Sequence, residues 1–277
     1  MTDKYAVIGN PIAHSKSPLI HQMFARQTEE DISYEAVLAP LDGFAATVER
    51  LREDGYKGCN VTVPFKFEAL KLARFWSHDT QRIQSVNTLV FESDVIRGEN
   101  TDGLGLVNDI TKNLAFAITG KRVLLMGAGG ASYGVAQPLL KSGAQVSIAN
   151  RTLSKAQQLA SAFTMPGTAH GTMHSSSYAD LAGQQFDLVI NATSSSLKDE
   201  MPPLPTGIFA PGALAYDMMY GKDTPFMRFA REQDAARVCD GLGMLVEQAA
   251  EAFLIWRGVR PDTAPVLAQL RAQKAGG

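Results

Sequence analysis

Cysteine is scarce in this chain of 277 residues, with Cys59 and Cys239 the whole complement. Two thiols so far apart make no disulfide framework, and both fall in strand-like contexts that suit buried thiols. Long apolar runs are missing as well. No stretch approaches the ~18 residues of a membrane-spanning helix. The start, MTDKYAVIGNP, passes directly into a strand pattern without an apolar signal core. Basic runs are absent and the net charge is −2, so neither nucleic acid nor a membrane is expected as a partner. Together these absences predict a cytoplasmic protein. What remains is ordinary for a globular chain, with 45% hydrophobic and 19% charged residues. The length suggests two domains at roughly 150 residues each.

Strands alternate with helices, and that order predicts parallel sheets. KYAVIG (4–9), ISYEAVLA (32–39) and GCNVTV (58–63) read as strands. Between them, Ser17-Pro18 reads as a cap and first turn, and Asp42 opens a helix to about Glu53 with Gly55 near its end. Pro64 to about Phe75 reads as the next helix. SVNTLVFESDVIRGEN (85–100) reads as two short antiparallel strands joined by a polar turn. NTDGLGLVNDI then begins a linking helix, and the halves divide near residue 103. FDLVIN (186–191) and GALAYDMM (212–219) read as later strands of the second half. GMLVEQAAEAFLIWRG, apolar nearly all round, reads as a last helix that returns to the first half.

VLLMGAGGAS places Gly127-x-Gly129 between a strand and a helix, and QVSIAN follows as a second strand. A turn of this kind lets amide hydrogens at a helix start face a pyrophosphate. The third position of the dinucleotide pattern is Ser132, so the match is imperfect. An acidic residue at the end of the second strand would bind the ribose hydroxyls of NAD. Here the text is Asn150-Arg151-Thr152-Leu153-Ser154-Lys155, without an acid. Arg151 and Lys155 suit the 2′-phosphate of NADP. The plainer alternative is that Thr152 caps the next helix while both cations are solvated.

NVTVPFK (60–66) puts Lys66 in a helix first turn, where a cation opposes the helix dipole at a cost of up to about 1 kcal/mol. Such a lysine is either solvated or held there for a purpose. Three loops carry the polar residues: His14-Ser15-Lys16-Ser17-Pro18, Asn60 to Lys66, and Asn100-Thr101-Asp102-Gly103. Strand ends of an open parallel sheet converge on one edge. Ser15, Asn60, Thr62 and Lys66 fall at or just after such ends, and their hydroxyl, amide and ammonium groups fit a small polyhydroxylated acid. Ser17 as a helix cap and Asp102 as a first-turn acid have ordinary structural readings too.

The motifs GNPIAHSKSP, NVTVPFK, VNT, NTDG, GAGGAS, NRT, NAT and GMLVEQAAEAF occur in this order over nearly the whole chain. In that combination the sequence resembles the shikimate dehydrogenase family. The resemblance implies an α/β protein of two domains. One would be a mainly parallel substrate domain (1–103 with 242–277), the other a Rossmann-type, doubly wound NADP domain (104–241), with a cleft between them. It implies NADPH-dependent, reversible reduction of 3-dehydroshikimate to shikimate, on the way to chorismate and the aromatic amino acids. Carried over residue by residue, Lys66 and Asp102 resemble the catalytic pair, and Ser15 and Ser17 would hold the substrate carboxylate. Asn60, Thr62, Asn87 and Gln248 would meet hydroxyls or the ring, with Tyr220 nearby. Gly127, Gly129, Gly130, Ala131, Asn150, Arg151, Thr152, Lys155, Thr193, Met218 and Gly241 would contact NADP.

Two departures from the family pattern stand out. Tyr133 occupies a position often held by arginine, which puts one phosphate or stacking contact in question. Gln84-Ser85 replaces a usual Gly-Ala, a change expected to alter strand packing rather than the role of Asn87. Related readings are a quinate/shikimate dehydrogenase using NAD, an amino-shikimate pathway enzyme, and a non-catalytic NADP sensor. The basic Asn-Arg-Thr loop argues against the first, and the Lys66/Asp102 pair against the last. His170 and His174 have i, i+4 spacing, but GTAHGTMHSSS is too turn-rich for a helix and offers no third ligand, so no metal is expected. The chain alone leaves monomer and homodimer both open.

Overall fold

A computed structural model describes residues 2–77, 83–163, 171–195 and 199–275. The chain divides into two compact units, Met1–Gly105 with Leu245–Gly277, and Leu106–Met244.

The first unit is built on a six-stranded sheet in the order β2-β1-β3-β5-β6-β4. Its strands are β1 (Asp3–Gly9), β2 (Ile32–Leu38), β3 (Tyr56–Val61), β4 (Phe75–Trp76), β5 (Thr88–Glu92) and β6 (Val95–Glu99). β1 pairs in parallel with both β2 and β3, while β5 and β6 form an antiparallel hairpin on β3. The helices of this part are α1 (Ser17–Thr28), α2 (Phe44–Glu53), α3 (Lys66–Leu72) and α4 (Asp102–Asn108). The core gathers Ile8, Val61, Leu89, Phe44 and Phe65, the last two stacked with ring centroids 4.9 Å apart. A five-residue π turn, Asp109–Asn113, continues α4 into the second unit.

The second unit holds a fully parallel sheet in the order β12-β11-β10-β7-β8-β9. Its strands are β7 (Arg122–Met126), β8 (Gln145–Ala149), β9 (Thr172–Ser176), β10 (Phe186–Asn191), β11 (Phe209–Asp217) and β12 (Arg237–Asp240). Helices α5 (Gly130–Lys141), α6 (Leu153–Phe163) and α7 (Pro225–Glu232) connect them. Val123 to Met126 are all fully buried, as expected of a strand covered on both faces. The strand order reverses between β7 and β10, which is where an open α/β sheet offers its crevice. Helix α8 (Leu242–Arg257) begins in this unit and ends in the first, and α9 (Ala264–Ala275) follows it.

Several expected boundaries move. Regular helix begins at Lys66 rather than Pro64, because Phe65 turns into the core and its amide bonds Thr62. It ends at Leu72, where Ala73 extends so that Phe75–Trp76 can pair with β6. Ser17 is the first residue of α1 rather than its cap; the capping position is Lys16, and Ser15 Oγ accepts the Ser17 amide at 3.3 Å. Helix α2 starts at Phe44 with Gly43 before it, not at Asp42. The helix at 242–257 is not the last. The turn-rich text around His174 contains edge strand β9, and the glycine before it is required: a Cβ on Gly171 would lie 2.0 Å from the Ala144 carbonyl. His170 lies outside the described residues. Among the described residues, no cluster of three or more His, Cys, Asp or Glu is placed to hold a metal ion. None of the described helices is long and apolar enough to cross a membrane.

Candidate active site

In the first unit Lys66 and Asp102 each open a helix, and the Lys66 ammonium donates to Asp102 Oδ2. Their side chains are 13% and 6% exposed, so both charges are largely withdrawn from water and each depends on the other. The other carboxylate oxygen, Oδ1, accepts from Asn87 Nδ2 at 2.9 Å. The Asp102 amide donates to Asn100 Oδ1 at 3.0 Å. Asn100 in turn donates to the Ser85 carbonyl at 2.8 Å.

Asn87, at the foot of β5, is 2% exposed and fully engaged. Nδ2 also reaches Thr101 Oγ1 at 2.9 Å and Gln248 Oε1, from α8, at 3.3 Å. Oδ1 accepts from the Thr101 amide and from the Thr88 hydroxyl, each at 2.9 Å. Across the sheet, Asn60 donates through Nδ2 to Thr88 Oγ1 at 3.0 Å and to the Asn87 carbonyl at 3.2 Å. Its Oδ1 accepts the Tyr34 hydroxyl at 2.7 Å.

Tyr34 stacks on His21, with centroids 4.0 Å apart and planes 6° from parallel. Desolvation pushes the phenol well above its usual range, so the hydroxyl keeps its proton, and Ser17 stands beside it. His21 is completely buried, with the side chain of Asn60 close by, and burial pushes its imidazole down to about 3. Thr62 is half-buried just past β3, three positions before Phe65. The expected residues Ser15, Ser17, Asn60, Thr62, Lys66, Asn87, Asp102 and Gln248 thus all belong to this unit. Tyr34, His21 and Thr88 are additions that the sequence does not single out. The tyrosine and threonine read as ordinary strand formers, and the histidine lies on the apolar face of a helix.

The second unit brings the glycine turn to the β7/β10 reversal. Gly127 has φ +106, and its amide donates to the Ala149 carbonyl at 2.8 Å. A Cβ at Gly129 would meet open space, while Gly130 and Ala131 begin α5. Below the turn, Ser132 Oγ is buried without a hydrogen-bond partner. An open backbone approach over an unsatisfied hydroxyl fits a phosphate-bearing ligand.

At the end of β8, Asn150 Nδ2 bonds the Thr152 carbonyl at 2.9 Å, leaving Arg151, Thr152 and Lys155 exposed. Thr193 is fastened by its amide (3.2 Å) and hydroxyl (2.7 Å) to Asn191 Oδ1, and the Met218 amide reaches the Asn191 carbonyl at 3.0 Å. Asp217, buried beside Asn191, accepts the Met219 amide at 2.9 Å. Gly241 admits no side chain, since its Cβ would fall 2.3 Å from the Met218 carbonyl. Tyr220 belongs to this unit, just past Met218.

The positions singled out as departures, Gln84-Ser85 and Tyr133, have the following surroundings. Gln84 adopts φ +52, a left-handed conformation that glycine takes without cost. Ser85 is buried, and its Oγ lies 3.4 Å from Asn100 Nδ2, which places a hydroxyl beside the Asp102 loop. Tyr133 lies in the first turn of α5 and its ring approaches Phe163 at 6.3 Å.

Residues 7–89 match the family model described as shikimate dehydrogenase substrate binding domain, and residues 109–198 the one described as shikimate / quinate 5-dehydrogenase. Residues 241–271 match the shikimate 5'-dehydrogenase C-terminal domain. The chain is 60% identical over 271 residues to shikimate dehydrogenase (NADP(+)) of Methylobacillus flagellatus, covering 98% of this chain and 99% of that one. Among solved structures, an Ael1 enzyme from Pseudomonas putida superposes with TM-score 0.90 at 49% identity, over 97% of this chain and 98% of that one. Shikimate 5-dehydrogenase from Thermus thermophilus, solved with NADP(H) and shikimate, gives TM-score 0.85 at 31% identity, over 98% and 99% of the two chains. An identity this high over this much of both chains leaves one conclusion: the chain belongs to the shikimate dehydrogenase family.

Proposed function

We propose that the chain catalyses the NADPH-dependent, reversible reduction of 3-dehydroshikimate to shikimate, in the route to chorismate and the aromatic amino acids. The observation that carries this reading is the buried Lys66–Asp102 pair, set among hydroxyl and carboxamide groups in a member of this family. Residues 1–103 with 242–277 are read as the substrate domain and 104–241 as the NADP domain.

NADPH, when bound, supplies the hydride. The Gly127–Ala131 turn would receive its pyrophosphate, and Arg151 with Lys155 its 2′-phosphate, with Asn150 and Thr152 shaping that loop. Thr193, Met218 and Gly241 would line the nicotinamide end. The chain's own chemistry lies at the ketone. As the carbonyl carbon gains its hydride, negative charge grows on the oxygen. The Lys66 ammonium donates a hydrogen bond to that oxygen and then its proton. Asp102 holds the ammonium in place between turnovers. In the reverse direction the neutral amine takes the hydroxyl proton. Proton transfer of this kind contributes about 10²–10⁴ in rate.

Ser15 and Ser17 are assigned to the substrate carboxylate, and Asn60, Thr62 and Gln248 to its hydroxyls, with Tyr220 close to the ring. Asn87 reaches a substrate hydroxyl by exchanging one of its present partners, since Nδ2 already serves Asp102 and Thr101. The enzyme is read as cytoplasmic, and as a monomer or homodimer.

Steady-state oxidation of shikimate with NADP tests the proposal, with NAD and quinate as controls. Turnover is expected with shikimate and NADP and should be weak in either control. Thermal stabilisation by NADP and shikimate without turnover would instead make the protein a sensor.

A further inference from the structure

We propose that Thr88 is a positioning residue: its hydroxyl joins the Asn60 carboxamide to the Asn87 carboxamide in a one-way hydrogen-bond chain from Tyr34 to the Asp102 carboxylate. The function of this chain rests on the reading above; its existence does not.

The direction of every link follows from groups whose polarity is fixed. The Thr101 amide can only donate, so the Asn87 atom 2.9 Å from it is Oδ1, and Nδ2 faces the Asp102 carboxylate. The Asn87 main-chain carbonyl can only accept, so the Asn60 atom 3.2 Å from it is Nδ2. Asn60 Oδ1 then faces Tyr34, whose single proton goes to it. Thr88 has one proton as well. It accepts from Asn60 at 3.0 Å and must therefore give to Asn87 Oδ1 at 2.9 Å. Sheet register makes this possible, because Thr88 on β5 is the direct cross-strand partner of Asn60 on β3. The threonine is completely buried, which withdraws its hydroxyl from bulk water.

Two consequences follow. With Nδ2 committed to Thr88 and to the Asn87 carbonyl, Asn60 offers a ligand only the second lone pair of Oδ1. It therefore accepts a proton from a substrate hydroxyl and does not donate to a carboxylate or ketone. A hydroxyl bound there also polarises the carboxamide, and bonds in such a chain strengthen one another. Occupancy of the Asn60 position is thereby transmitted through Thr88 to Asn87 and to the grip on Asp102. The charged group bonded to Asp102 is Lys66 of α3, whereas β3, β5 and α8 present the neutral Asn60, Asn87, Thr88 and Gln248.

Thr88→Val keeps the shape of the side chain and removes both hydrogen bonds. Its kcat for shikimate should fall about tenfold while the KM for shikimate rises less than about threefold, with a native circular dichroism spectrum. Thr88→Ser, which restores the hydroxyl, should return kcat to within about twofold of wild type. Tyr34→Phe, at the far end, should lower kcat in the same direction by a smaller factor. Wild-type kcat in Thr88→Val, or equal impairment in the serine and valine variants, would overturn the proposal. Independently of turnover, the side-chain amide protons of Asn60 and Asn87 should exchange slowly by NMR in the wild type and faster in Thr88→Val. Equal exchange in both proteins would show that no such chain exists. An inactive wild type that still shows the exchange difference would defeat the assigned reaction and leave the chain standing.

Discussion

Lys66 opens α3, Asp102 opens α4, and the ammonium of the first donates to the carboxylate of the second. A cation at a helix start opposes the dipole, whereas an anion at one is favoured. Each helix start thus carries one partner of a pair that neutralises itself. Lys66→Ala removes the proposed proton donor and should lower kcat by about 10²–10⁴ with the fold intact. Asp102→Asn keeps the shape but releases the ammonium, and should also impair kcat more than KM. Steady-state kinetics beside circular dichroism decides the matter; a folded Lys66→Ala protein with undiminished turnover would exclude the lysine from the chemistry.

Arg151 is exposed at the end of β8, in a loop with no carboxylate to meet ribose hydroxyls. Arg151→Ala should raise the KM for NADPH about tenfold or more while leaving that for NADH nearly unchanged, because only NADPH carries the 2′-phosphate. Parallel titrations with both cofactors measure the ratio, and equal changes would assign the arginine another role.

His21 gives the first unit a dependence on acid. Burial pushes its imidazole down to about 3, against about 6.5 in an unfolded chain. Between those values the unfolded state binds the extra proton, so stability falls as pH drops through the window and is regained as pH rises. At pH 5 the loss attributable to this group is about 2 kcal/mol. His21→Phe should flatten the pH dependence of unfolding by about that amount, as read by urea denaturation at pH 5 and pH 8. A variant with the wild-type slope would place the acid sensitivity elsewhere.

Gly241 lies against the Met218 carbonyl, where a Cβ would stand 2.3 Å from the oxygen. The neighbour is backbone, so Gly241→Ala must displace the end of β11. A loss of about 1–3 kcal/mol is expected in chemical denaturation, with weaker NADP binding by calorimetry. Unchanged stability together with unchanged affinity would mean that the strand end yields freely.

Most of the architecture is legible because buried parallel strands such as RVLLM and FDLVIN carry short apolar runs, VLLM and LVI, between polar or glycine-bearing ends. Strand β9 escapes because the composition of TMHSS resembles a loop; what makes it a strand is an edge position beside β8, a property of the sheet rather than of the segment. The late helix start at Lys66 depends on Phe65 finding Phe44, a contact between distant residues. In the site, charged residues announce themselves by sitting against local expectation, as Lys66 does. Tyr34 and Thr88 do not, because their types suit any strand, and only cross-strand register reveals what their hydroxyls touch. Gln84 stands out in the sequence as an unusual replacement, but its left-handed conformation is visible only in the backbone.

The first unit is discontinuous, closed by residues 245–277 after the whole second unit has intervened. During synthesis, therefore, the second unit can fold while the unit bearing Lys66 and Asp102 still lacks the segment from Leu245 onward. Gln248, which meets Asn87, and Phe253 and Trp256, whose rings meet His21, reach their places only after that segment is made. Lys66 and Asp102 are made early, and the helix that brings Gln248 to their neighbour Asn87 is made after the whole second unit.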